Sequence, residues 1–251
     1  MSIDKPKHAR KSRTKIFLPL TAVLILVFAA AAFTMFKKPE QKETPPTDTF
    51  SENQSSETVR TSYLIKDTPH IYQMEKYPNG CESVTTVMAL NYAGIEITPD
   101  EFIDEYLDMS ERPFDPYETY GGNPRDGSGY GCYAPVIMKA LEKILPDTGL
   151  SAKLLENKSL SNICSEYIDN DIPVILWATQ GMAEPFEGAS WEFAGREITW
   201  IRPEHCLLLV GYDEENYIFS DPMSTEKLTY YSKSDVETAY KGLFSQAIVI
   251  R

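Results

Sequence analysis

Four residues, widely separated along the 251-residue chain, are of the types that together attack a carbonyl carbon: Gln73, Cys81, His205 and Asp221. Cys81 follows Tyr77-Pro78-Asn79-Gly80 and opens a segment whose apolar residues Val84, Val87, Met88 and Leu90 recur at helical spacing. A sulfur at a helix N-terminus faces unpaired backbone N–H groups and the positive end of the helix dipole, both of which favour the thiolate. Gly80 is expected to let the chain turn sharply into that helix. Gln73, a short way upstream, is expected to return an amide donor that forms an oxyanion hole with the Cys81 backbone N–H. His205 opens the most apolar run of the chain, and Asp221 follows a tight turn over residues 213–216. In an antiparallel pair the start of the first strand lies beside the end of the second, which sets the carboxylate next to the imidazole. There it orients the ring and stabilises its protonated form, and Pro222 ends the strand just beyond. Nucleophile, base and orienting acid thus occur in the order Cys, His, Asp.

Each of these residues also has a commoner role: a buried cysteine as inert filling, a strand-end histidine as a hydrogen-bonded core group, Asp-Pro as a turn. The other cysteines, Cys132, Cys164 and Cys206, leave disulfides open. If Cys81 is a free thiol, at least one of them stays unpaired in the monomer, and Cys132 with Cys164 is one option. No C-x-x-C or H-E-x-x-H occurs, so no metal site is expected, and no cofactor motif is present. Gly127, Gly129 and Gly131 follow no strand, which argues against a phosphate cradle. Trp177, Trp191 and Trp200 read as core or rim aromatics.

Helical spacing over residues 82–93, a capping box with proline at the first helical position over 98–107, and apolar periodicity over 135–145 and 160–169 predict four helices. Short β-branched and aromatic runs follow at 173–179, 192–201, 206–212, 217–220 and 246–250. Helices grouped before strands predict an α+β domain with one helix packed on a mostly antiparallel sheet. The loop over 110–131 is longer than an ordinary connection and fits a cleft wall. No internal repeat or heptad pattern is present.

Charge divides the chain. Residues 1–38 carry eight Lys/Arg against Asp4 alone, leaving 16 basic and 36 acidic residues beyond them. So acidic a remainder repels phosphate backbones and argues against nucleic-acid binding. Residues 16–36 hold no charge and are long enough to cross a bilayer. Six basic residues before this run and two after it hold the N-terminus inside. The expected organisation is a cytoplasmic basic tail (1–15), a single transmembrane helix (16–36), a flexible Pro/Thr/Ser/Glu-rich stalk (37–63) and an external folded domain (64–251). A cleaved signal peptide is the alternative, since Ala29 to Ala32 offers small residues for cleavage and would release the domain.

The segments QMEKYPNGCESVTTVMALNYAG, YGGNPRDGSGYGCYAPVI, PEHCLLLVGYDEENYIFSDP and SQAIVI resemble the stand-alone branch of cysteine peptidase family thirty-nine, the bacteriocin-processing-like peptidases. The resemblance spans residues 68–251. It implies a papain-like fold, with Cys81 as nucleophile, His205 as base and then acid, Asp221 as the orienting residue and Gln73 as oxyanion donor. Members fused to ABC exporters remove double-glycine leaders inside the cell, whereas this sequence shows no ATP-binding motif and its domain is expected outside. The expectation is a membrane-anchored thiol hydrolase at a bacterial cell surface acting on a peptide or amide substrate, cell-wall fragments included. Transfer of the acyl group to an amine belongs to the same chemistry. A catalytically silent binding module of the same fold and a disulfide-stabilised adhesive domain are the alternatives. Loops 114–133 and 183–191 are expected to set specificity.

Overall fold

The computed structural model describes residues 60–251. The expected basic tail, the membrane span and most of the stalk lie outside the described residues. Among the described residues no helix is long and apolar enough to cross a membrane.

The chain opens with a two-residue strand, β1 (Tyr63–Leu64), and enters α1 (Cys81–Tyr92). A short α2 (Pro99–Glu101) runs into a π-helical turn over Phe102–Tyr106, and β2 (Met109–Ser110) pairs with β3 (Tyr120–Gly121) in parallel. Then come α3 (Ala134–Ile144), β4 (Ala152–Glu156), α4 (Leu160–Glu166) and β5 (Val174–Thr179). A hairpin of β6 (Phe186–Phe193) and β7 (Arg196–Arg202) stands as a separate sheet. It leads into β8 (Glu204–Tyr212), β9 (Asn216–Ser220), β10 (Thr229–Ser232), α5 (Lys233–Gly242) and β11 (Gln246–Ile250). The main sheet runs β10-β9-β8-β5-β11-β4, with β1 also on β8, and every pairing in it is antiparallel.

Both faces of this sheet are covered, which is why β5 and β8 read as continuous rather than alternating apolar runs. Ile175, Trp177, Cys206, Leu208, Val210, Ile248 and Ile250 pack with α1 and α3 on one face. Val174, Leu176, Leu207, Leu209, Phe219, Ala247 and Val249 pack with α4 and α5 on the other. The expected single covering helix is therefore corrected to helices on two faces, and α5 breaks the expected order of helices before strands.

Two further expectations are corrected. The single strand over 192–201 is a hairpin, because Ala194 and Gly195 take φ of 49° and 76° and form the two-residue turn that antiparallel strands prefer. The first helix, expected from one apolar stripe, is buried all round: from Cys81 to Leu90 every residue is buried. Thr85 donates to the Cys206 carbonyl at 3.0 Å and Thr86 to the helix's own Glu82 carbonyl at 2.6 Å, while the buried Ser83 hydroxyl has no partner. The capping box over 98–107 holds, with the Thr98 hydroxyl accepting from the Glu101 N–H, although the helix continues in π form.

Candidate functional site

Cys81 is the first residue of α1, directly after the N-cap residue Gly80. The glycine is needed for space, not for an unusual backbone. Its φ is −106°, and an added Cβ would lie 2.8 Å from the Tyr77 Cβ and 3.2 Å from that of Pro124. The Tyr120 hydroxyl donates to the Asn79 carbonyl and fixes the approach to the helix.

His205 and Asp221 meet as the hairpin predicts. His205 is the second residue of β8, and β9 ends one residue before Asp221. Imidazole Nε2 and Asp221 Oδ1 are 2.7 Å apart, with His205 only 1% exposed. The Met223 N–H donates to Oδ1 at 2.9 Å and the Tyr231 hydroxyl to Oδ2 at 2.9 Å. Burial works to raise the Asp221 pKa, but the bond to and charge of His205, with these two donors, hold it below the usual carboxylate value. His70 braces the same turn, its ring 3.0 Å from the Ser220 hydroxyl and 3.0 Å from the Ser224 carbonyl. His205 Nδ1, the nitrogen that faces away from the acid, is buried and has no hydrogen-bond partner.

The sulfur itself departs from expectation. Cys81 Sγ donates to Glu82 Oε2 at 3.2 Å. Burial first, then the charges of Glu82, Glu204 and Cys206, push the thiol well above its ordinary pKa. The Cys206 backbone N–H, next in the chain to His205, opposes this and does not overcome it. The expected thiolate at the helix N-terminus is thus corrected: the dipole is present, but two carboxyl groups and the loss of water outweigh it in the resting site.

Gln73 is brought to the same region, its backbone N–H donating to the Pro222 carbonyl at 2.8 Å. Its side-chain amide donates to the Tyr77 and Pro78 carbonyls at 3.2 and 3.3 Å instead of pointing a free donor at the sulfur. Its Oε1 is buried without a partner.

Glu82 and Glu204, neither singled out by the sequence, complete the site. Sγ of Cys81 and one carboxyl oxygen of each glutamate lie within 4.8 Å of one another, and all three residues are buried. Glu82 Oε1 accepts the Cys132 N–H at 2.6 Å, while Glu204 Oε1 has no partner. Burial and the neighbouring Glu82 push the Glu204 pKa well up, and burial raises Glu82 as well. Gly131 makes room for the pair: at φ of +122° its added Cβ would stand 2.7 Å from Glu82 Oε1 and 3.0 Å from Glu204 Oε2. All four cysteines are free thiols, so the disulfide option is corrected.

A polar cavity of about 370 Å³ is lined in part by Glu204. Its walls include Asn79, Gly129, Tyr130, Gln180 and Trp200. Gly127 and Tyr130 come from the first loop expected to set specificity and Ala189 from the second.

The profile of the Peptidase_C39 like family matches residues 65–248. The uncharacterized protein YvpB of Bacillus subtilis (strain 168) is 26% identical over 194 residues, covering 75% of this chain and 73% of that protein. The crystal structure of a protein described as C39-like from Bacillus anthracis superposes with a TM-score of 0.69 at 26% identity, over 76% of this chain and 97% of that one.

Proposed function

Because the chain belongs to the Peptidase_C39 like family, we propose that it is a thiol hydrolase that cleaves a peptide or amide bond through Cys81, His205 and Asp221. One observation carries the reading: a fully buried His205–Asp221 pair whose free nitrogen, Nδ1, has no partner, on the strand that packs against the helix opened by Cys81. A buried unpaired nitrogen is costly and is retained where a proton must pass. In the proposed cycle the imidazole removes the Cys81 proton through Nδ1, and Asp221 stabilises the cation through Nε2. The thiolate attacks the carbonyl carbon, and the oxyanion is held by the Cys81 N–H together with one Gln73 N–H turned from the Tyr77 and Pro78 carbonyls. The imidazolium gives its proton to the leaving amine. Water, deprotonated by His205, then releases the acyl group and restores the thiol. We place this chemistry at the outer face of a bacterial membrane, with residues 16–36 as the anchor, peptides or cell-wall fragments as substrates, and acyl transfer to an amine as a variant of the second half.

The bond from the Cys81 thiol to Glu82 favours a second reading, a silent module that binds peptides in the same cleft. Iodoacetamide labelling of the full chain near pH 7, read at Cys81 by mass spectrometry, separates the two. The hydrolase reading expects labelling that falls at least about tenfold in His205→Ala, since general-base catalysis contributes of order a hundredfold or more. Equal labelling of both chains leaves the silent module.

A further inference from the structure

The cavity lined by Glu204, whose carboxyl lies within 4.8 Å of the sulfur, has no part in the acid–base steps above. Glu204 is the one acidic residue in its lining; a carboxyl oxygen of Glu204 and one of Glu82, which does not line the cavity, lie within 4.8 Å of Cys81 Sγ, and Glu204, 7% exposed, keeps Oε1 unpartnered. A buried acceptor of this kind is stabilised by any donor that enters, and most by one carrying charge. Trp200 and Tyr130 stand in its walls, and the Trp200 ring edge and an oxygen of each carboxyl border the same point, where a Gly131 Cβ would be, at 3.1, 2.7 (Glu82) and 3.0 Å (Glu204). An acceptor floor under aromatic walls matches an organic ammonium, which binds both carboxylates and ring faces. Asn79 and Gln180 add polar side chains to the walls. Arg202, the one cationic lining residue, is exposed to solvent, where screening weakens its repulsion. A bare metal ion needs no cavity of about 370 Å³ leading to its ligands, whereas a side chain tipped with an amine does.

We propose that this cavity is a substrate subsite for a primary ammonium group, held by Glu204 with Glu82 behind it, so that the preferred substrates carry an amine close to the scissile bond. The inference deepens the hydrolase reading and rests on it.

The test uses the full chain and two reagents that differ in charge, aminoethyl and sulfonatoethyl methanethiosulfonate. In each the Cys81 thiolate forms a disulfide with the reagent's outer sulfur and methanesulfinate leaves. With each rate divided by that for a simple thiol in solution and read at Cys81, the cationic reagent is expected to be favoured by at least about tenfold, the scale of one charge a few ångströms away. Because the two carboxyls share a proton, Glu204→Gln alone leaves Glu82 free to ionise; Glu204→Gln combined with Glu82→Gln removes most of that preference, and Glu142→Gln, on the exposed face of α3, leaves it. In the unaltered chain, butylammonium slows iodoacetamide labelling of Cys81, and butanol, of the same shape without charge, does not. A ratio near one, a preference that survives the double substitution of Glu204 and Glu82 by Gln, or protection by stoichiometric zinc but not by butylammonium overturns the subsite. Loss of the His205 dependence of labelling removes the hydrolase reading instead, whatever the charge ratio.

Discussion

Glu82 and Glu204 cannot both ionise out of water at their separation, so the pair retains a proton that two free carboxylates would have lost. The consequence for stability has a definite sign. An acid raised on folding keeps its proton where the unfolded chain has lost it, so the folded state loses stability as pH climbs from the unfolded value of about 4.3 toward the raised one. Asp221 acts in the opposite direction: its depressed pKa contributes stability above about 3.9 that disappears as pH falls through the folded value. Glu204→Gln removes the first effect alone. Urea midpoints should show the variant gaining on the unaltered chain from about pH 4.5 to about pH 7.5, and a difference flat across that window would mean that Glu204 is ionised in the fold. At this scale the sequence was unevenly legible. His205 and Asp221 could be joined because a short hairpin fixes strand ends, a local rule. Glu82 and Glu204 read as ordinary solvated acids, since their burial comes from α1 and β8 meeting each other and Gly131, three distant parts of the chain.

Among the elements, the residue pattern concealed the strands β4 and β10 and one whole helix, α5. Only Val236, Ala239 and Tyr240 of its ten residues are buried, too few for a clear helical stripe, and it lies between two strands. Its start was nevertheless marked: the Ser232 hydroxyl accepts from the Asp235 N–H at 3.3 Å, a capping pattern. Because α5 covers the second face of the sheet, Ser232→Ala is expected to cost about 1 kcal/mol, seen as a lower urea midpoint at unchanged slope. A slope that falls with it would mean partial detachment of the helix. The long apolar runs of β5, β8 and β11 were legible because strands buried on both faces carry no competing polar period. The hairpin of β6 and β7 was not, since its turn depends on Ala194, a residue that seldom takes positive φ.

For the whole molecule, the order of strands decides how the domain can fail. β11, the last strand of the chain, lies inside the sheet between β5 and β4. Ending the chain after Ser245 would open the paired edges of both neighbours and remove Ala247, Ile248, Val249 and Ile250 from the two cores. Such a chain is expected to lose its cooperative thermal transition and to aggregate, as unpaired strand edges do. A sharp transition near that of the full chain would show β11 to be dispensable.

The separate hairpin is tied chiefly to the other wall of the cleft. Trp191 donates to the Phe114 carbonyl at 2.6 Å, Arg112 to the Ser190 carbonyl at 3.0 Å, and Arg196 pairs with Asp115 at 2.7 Å. The two walls therefore brace each other, while His205 and Asp221 belong to the central sheet. Inheritance can treat them as separable parts: insertions and exchanges in the walls can accumulate in a lineage and redirect what the cleft admits, with the proposed His205–Asp221 pair left at the ends of buried strands of the central sheet.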